Sequence, residues 1–197
     1  MTDKSFLNLE YKKEGKNFRL QLFFAKDERG IVYRVTTVLY ANGWNIEGAS
    51  IRSLENGQIE DEFLISDSTG REFGEKEKEQ IVQEMYLLFK EEISIPSYLI
   101  KKGKVAKADK GNESAEIIFE SNEELDNTLL RIKTKDRSGL LCDIARMLFL
   151  ECIDILSVKA KTYKDEVDDT FEIKSEMGHS LDDGMKERLV RNLKNIL

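Results

Sequence analysis

Three features of the sequence predict an α+β protein made of two copies of one small sandwich. The segment KDERG at residues 26–30 returns as KDRSG at 135–139, apolar residues follow each segment at helical spacing, and flanking stretches alternate apolar with polar. A chain of 197 residues is long enough to bury two separate cores.

Set in register, the two segments place Asp27 on Asp136 and Gly30 on Gly139, and the match continues downstream. Val32, Val35 and Leu39 fall on Leu141, Ile144 and Leu148, the i, i+3, i+7 stripe of an amphipathic helix. Ile46 meets Ile155, and after a one-residue shift Ile59, Asp61, Phe63 and Ile65 meet Val167, Asp169, Phe171 and Ile173.

Each copy then reads element by element. A strand alternates apolar and polar residues, through Phe18, Leu20, Leu22 and Phe24 in the first copy and through Leu130 and Ile132 in the second. Helices follow at about 30–42 and 139–151. The next strand of the first copy runs from about Asn45 to Ser53, turns at Glu55-Asn56-Gly57-Gln58 and returns as IEDEFLI. Asn-Gly favours such a hairpin because both turn residues need positive φ. The second copy turns through Tyr163-Lys164-Asp165-Glu166 and returns as VDDTFEI. A second helix carries Ile81, Met85 and Leu88 in one copy and Met185, Leu189, Leu193 and Ile196 in the other, where Ser180 is positioned to cap it.

With Glu60, Glu62, Asp168 and Glu172 in the outward phase, one sheet face is polar and the other lies under the helices. This arrangement is a ferredoxin-like antiparallel sandwich, βαββαβ when closed by a last strand. ISIPSYLIK is the candidate for that strand in the first copy, and the second copy ends without one. The apolar runs SFLNLEY at 5–11 and AEIIFES at 115–121 are alternative fillers of the empty edge. The expected organisation is a first domain at 1–100, a lysine- and glycine-rich linker at 101–114 and a second domain at 115–197.

Composition narrows the function. A net charge of −7 and a pI near 5.1 disfavour nucleic acid and anionic membranes as partners. The acids of IEDEFLI and VDDTFEI also stand where an RNA recognition motif of this topology needs basic and aromatic residues. Without a long apolar run or a leader-like start, a cytoplasmic location is expected. Cys142 and Cys152 are expected on one helix as reduced, half-buried small hydrophobes, and the single histidine, His179, is assigned no role. No phosphate-binding loop, nucleophile elbow or zinc motif is present, so neither enzyme activity, nor a cofactor, nor a metal site is expected.

The stretch LLRIKTKDRSGLLCDIARMLFLECIDILSVKAKTYKDEVDDTFEI resembles an ACT domain, a β-α-β-β-α-β module that senses amino acids. Its pattern is an Asp-Arg-Pro-Gly-Leu-Leu knot after the first strand and Asn-Ile-x-x-Ala at the second. Over about residues 18–95 and 115–197 the chain resembles the paired ACT domains at the C-terminal end of the uridylyltransferase/uridylyl-removing enzymes of bacterial nitrogen control, where a strand like IIFESN precedes the last copy. GIVYRVTTVLYANGWNIEGASI also resembles the two-ACT repressors of glycine cleavage. The knot proline is replaced by Arg29 and Ser138, which leaves the loops less pre-organised, and Cys152 stands where the first copy has Gly43.

The knot has a chemistry of its own. A helix N-terminus offers unpaired NH groups and a partial positive charge to a carboxylate, and an acid beside it suits an ammonium. Asp136, with Arg137 and the NH groups of Ser138, Gly139 and Leu140, can therefore meet both ends of an α-amino acid. Asp27, Glu28, Arg29, Gly30 and Ile31 can do the same in the first copy. Equally, the two acids can cap the helices while the glycines turn the chain. The resemblance adds Asn45 and Asp154 at the start of the second strands, with Asp154 expected near Asp136.

The implied function is non-catalytic: a regulatory module binding a small amino acid of the glutamine or glycine class, acting as a homo-oligomer or on a regulated protein partner. The rivals are an assembly module without a small ligand and the ACT portion of a nucleotidyltransferase-type nitrogen regulator.

Overall fold

A computed structural model describes residues 6–26, 28–53, 59–104, 114–122 and 124–197. The first half contains β1 (Leu7–Glu14), β2 (Asn17–Phe24), α1 (Ile31–Ala41), β3 (Asn45–Ser53), β4 (Ile59–Ser66), α2 (Glu75–Phe89) and the short α3 (Ile95–Lys101). The second contains β5 (Glu116–Asn122), β6 (Asn127–Lys135), α4 (Leu140–Leu150), β7 (Ile153–Tyr163), β8 (Glu166–Ser175) and α5 (Asp183–Lys194). The strands form one antiparallel sheet in the order β1-β2-β4-β3-β7-β8-β6-β5. Each half of that order, with its helices, is an antiparallel sandwich of ferredoxin-like type. No helix among the described residues is long and apolar enough to cross a membrane.

The closing strand is where the sequence reading needs correction. ISIPSYLIK is not a strand but α3, which Ser94 opens by accepting from the Ser97 amide at 3.4 Å. Pro96 sits in the first turn, where its missing NH costs nothing. Tyr98 is buried and donates to Glu84 at 2.5 Å, which pins α3 to α2. The edge beside β2 is already taken, because β1 folds back on β2 from Glu14↔Asn17 to Leu7↔Phe24. In the second unit β5 covers β6 from Asn122↔Asn127 to Glu116↔Lys133. Both apolar leaders thus fill the edge of their own copy, making each unit ββαββα.

Three smaller readings also change. Asp182, not Ser180, caps α5, accepting from the Met185 amide at 2.7 Å, while the Ser180 amide donates to Asp126 at 3.0 Å. Cys142 is buried in α4, whereas Cys152 is exposed beyond its end. The turn at 55–58, residues 105–113 of the expected linker and Asp27 lie outside the described residues.

Alternation buries one face of every strand. Leu20, Leu22, Phe63 and Ile65 in one unit and Leu130, Ile132, Phe171 and Ile173 in the other are sealed beneath the helices. Each such side chain contributes about 1.5–3 kcal/mol of apolar transfer. The opposite face carries ion pairs, including Arg19 with Glu62 and Arg131 with Asp168.

The units join where β3 meets β7, pairing Gly48↔Lys161, Ala49↔Ala160, Ser50↔Lys159 and Ile51↔Val158. Gly48 permits the approach, since a Cβ there would lie 3.3 Å from the Ala160 carbonyl oxygen. Above this seam α1 packs on α4, with Thr37 Oγ1 and Cys142 Sγ 3.5 Å apart.

Both first helices end in a residue of positive φ: Gly43 at 79° and Cys152 at 58°. That conformation is costly for a side chain with a Cβ, and exposed Cys152 has little packing to lose. Cys152→Gly should raise unfolding free energy by about 1 kcal/mol, seen as a higher urea midpoint at unchanged slope; a lower midpoint would contradict this account.

Candidate functional site

Both knots lie on the seam, and each faces the other unit. Gly30 and Gly139 adopt left-handed φ of 88° and 82° immediately before α1 and α4. A Cβ on Gly139 would come within 2.7 Å of the Tyr40 ring, and one on Gly30 within 2.8 Å of the Phe149 ring. Tyr40 and Phe149 hold matching positions in the repeat. The glycines are therefore required twice, by conformation and by space. Each helix has a glycine as N-cap with no side-chain capping bond, so the knot of the second unit turns on Gly139 and leaves Asp136 off the cap.

Around the second knot the seam encloses a cavity of about 110 Å³. Asp136, Gly139 and Leu140 form one wall, Tyr40 and Asn45 of the first unit form another, and Asp169 lies on the floor. Ser138 and Arg137 also border it, but the Arg137 guanidinium is engaged by Asp143 at 2.7 Å and by the Ile196 carbonyl at 2.7 Å. That leaves the cavity with a helix N-terminus, carboxyl groups and an amide.

The electrostatics are those of a site short of cations. Asp136 is exposed as a whole residue, yet desolvation of its carboxyl is the main cause raising its pKa; Glu47 and Asp165 add to the rise, and the Arg137 amide opposes it. Asp169 is pushed up to about 7, chiefly by burial, with Asp136 and Asp168 adding repulsion against one favourable bond from the Lys161 amide at 3.1 Å. Burial also raises the Cys142 thiol to about 11, so it is a neutral wall group.

The counterpart around the first knot is nearly full, with about 20 Å³ of space, enough for roughly one water molecule. Glu28, Gly30, Ile31, Asp61 and Asp154 line it. Tyr33 and Phe149 occupy the volume, their ring centroids 5.6 Å apart. Arg29 closes over Phe149 at 4.9 Å and pairs with Glu176 at 3.1 Å. The matching residue to Tyr33 in the second unit is Cys142, and that change in size leaves the larger cavity open.

The expected neighbourhood of Asp154 and Asp136 is thus corrected. Because β3 and β7 pair antiparallel, each knot meets the strand start of the other unit: Asp136 shares a cavity with Asn45, and Asp154 one with Gly30. Asp169 was absent from the candidates, although a signal for it existed. It and Asp61 fall in the inward phase of their strands, in register with buried Phe171 and Phe63.

Asp169 has a thermodynamic consequence. Its carboxyl is protonated more readily in the folded chain than in the unfolded one, where an aspartate titrates near 3.9. Stability from this group is present below that pH and lost as pH rises through about 7. The advantage of Asp169→Asn over the native chain should therefore grow by about 4 kcal/mol between pH 4 and pH 8 in urea titrations. Parallel curves across that range would show that Asp169 ionises normally.

Comparison with known proteins places this geometry in context. No family model matches the chain. It is similar to bifunctional uridylyltransferase/uridylyl-removing enzymes: 28% identical to that of Ruegeria pomeroyi, over 84% of this chain and 18% of the relative. The corresponding enzyme of Azospirillum brasilense is 27% identical over 79% of this chain and 17% of its own length, and that of Erythrobacter litoralis 24% over 90% and 20%. The chain thus spans no more than about a fifth of these relatives. Among solved structures, aspartate kinase from Synechocystis aligns with a TM-score of 0.47 at 12% identity, covering 92% of this chain and 27% of that one. A putative glycine cleavage system transcriptional repressor aligns with a TM-score of 0.29 at 14% identity, covering 89% of each chain.

Proposed function

We propose that the chain is a non-catalytic regulatory module that binds one small amino acid, of the glutamine or glycine class, in the seam cavity around the second knot. The carrying observation is that this cavity joins the Gly139–Leu140 helix start and Asp136 of one unit to Asn45 and Tyr40 of the other. The helix start suits the ligand carboxylate and Asp136 suits its ammonium. A ligand held there touches both units, so its binding tightens the seam and passes to a regulated partner or a second copy through the sheet.

Two observations support binding over catalysis. Cys142, the thiol in the cavity, is protonated at neutral pH. His179 lies away from the cavity, held by Asp126 at 2.6 Å. The relatives' name, which joins uridylyl transfer to uridylyl removal, favours a module that regulates such an activity.

A thermal-shift panel of free amino acids tests the reading, since a ligand specific for the folded state raises its melting temperature. At least one small amino acid should do so at millimolar concentration, and calorimetry should find one site per chain. Asp136→Asn should weaken that binding tenfold or more, the loss of one charge-assisted bond. No shift with any amino acid would leave the seam as a structural joint and the chain as an assembly module.

A further inference from the structure

The floor of the cavity is unexplained by the knot alone. Asp169 is 3% exposed and its Oδ1 accepts from the Lys161 amide, while among the described residues Oδ2 has no hydrogen-bond partner. A carboxyl buried without a cation costs several kcal/mol if it ionises, which is reason for a fold to discard it unless something visits it. The cavity it lines holds a second carboxyl, Asp136, from the adjacent loop.

Among the described residues the Arg137 guanidinium is the one cation that acts on Asp136, and none acts on Asp169. From α4 comes the neutral Cys142 thiol, from α1 the Tyr40 ring, and from β7 the Lys161 amide NH rather than its ammonium. Arg137 is engaged by Asp143 and Ile196, while Asp168, on the other face of β8, is paired with Arg131. Glu47 and Asp165 contribute further negative charge near Asp136.

We propose that Asp169 and Asp136 together form the ammonium subsite, and that seating the ligand's ammonium displaces the Asp169 proton to solvent. This rests on the amino-acid reading above and adds to it a specificity and a regulation. The ligand is an α-amino acid with a neutral side chain, because four nearby acids repel an anionic one. Its affinity rises with pH across the physiological range, so the module reports amino-acid level and pH jointly.

The chemistry of the ligand isolates this effect. Glycine and L-glutamine carry the same net charge throughout pH 6 to 8, so a pH-dependent affinity must come from the protein. The test is calorimetric titration of the full chain with glycine, L-alanine, L-serine, L-glutamine and L-glutamate at pH 6, 7 and 8, in buffers of different ionisation enthalpy. For a neutral amino acid, binding should be about tenfold weaker at pH 6 than at pH 8, as follows when a group titrating near 7 must lose its proton. Proton release should approach one per ligand at pH 6, and L-glutamate should bind at least tenfold more weakly than L-glutamine.

Asp169→Asn should bind more weakly at pH 8 but with an affinity independent of pH. Asp61→Asn, at the matching position beside the filled cavity, should keep the native pH dependence. Binding that is pH-independent in the native chain, or pH-dependent still in Asp169→Asn, overturns this inference while leaving the amino-acid site intact. Absence of binding by every amino acid at every pH overturns both.

Discussion

Everything at the candidate site depends on the antiparallel pairing of β3 with β7. Four residue pairs make the seam, from Gly48↔Lys161 to Ile51↔Val158. Small residues make it possible: Gly48 admits the Ala160 carbonyl, and Ala49 faces Ala160. Because the strands run in opposite directions, the two units are related by an approximate half-turn. That rotation brings the loop before α4 over the start of β3 and the loop before α1 over the start of β7. Neither unit alone holds a complete cavity, which is the physical basis for reading ligand occupancy as a change in how the units sit together.

The half-turn makes two sites, and side-chain volume then makes them unequal. Tyr33 and Phe149 fill one with a tilted aromatic pair, and Arg29 locks it through Phe149 and Glu176. Cys142 and Tyr40 stand at the matching positions of the other and leave room. The filled side gains apolar burial and cation–π contact. The open side keeps two carboxyl groups on an under-packed seam, at a cost in stability. Under the proposed function, one filled and one open site give a single binding event per chain.

The repeat, the helices and the inner faces of the strands were legible because periodicity records which side chains meet water. Val32, Val35 and Leu39 announce α1 without any tertiary knowledge. The closing strand was not legible, since ISIPSYLIK has apolar residues enough for either state, and its Ser94 cap and Pro96 decide for a helix. What excludes it from the sheet is β1, a competitor that local sequence cannot weigh. Crossing of the knots was likewise hidden, because partner choice between edge strands is a property of the assembled sheet. Asp169 was visible as an acid in an apolar phase, but only the cavity beside it gives that acid a purpose.

A crystal structure of the chain grown with its strongest-binding amino acid at pH 8 tests the central claim most directly. The account predicts one ligand per chain in the cavity between the two units, its carboxylate toward the Gly139–Leu140 amides and its ammonium between Asp136 and Asp169. A ligand seated beside Gly30, or anywhere that touches only one unit, would contradict it.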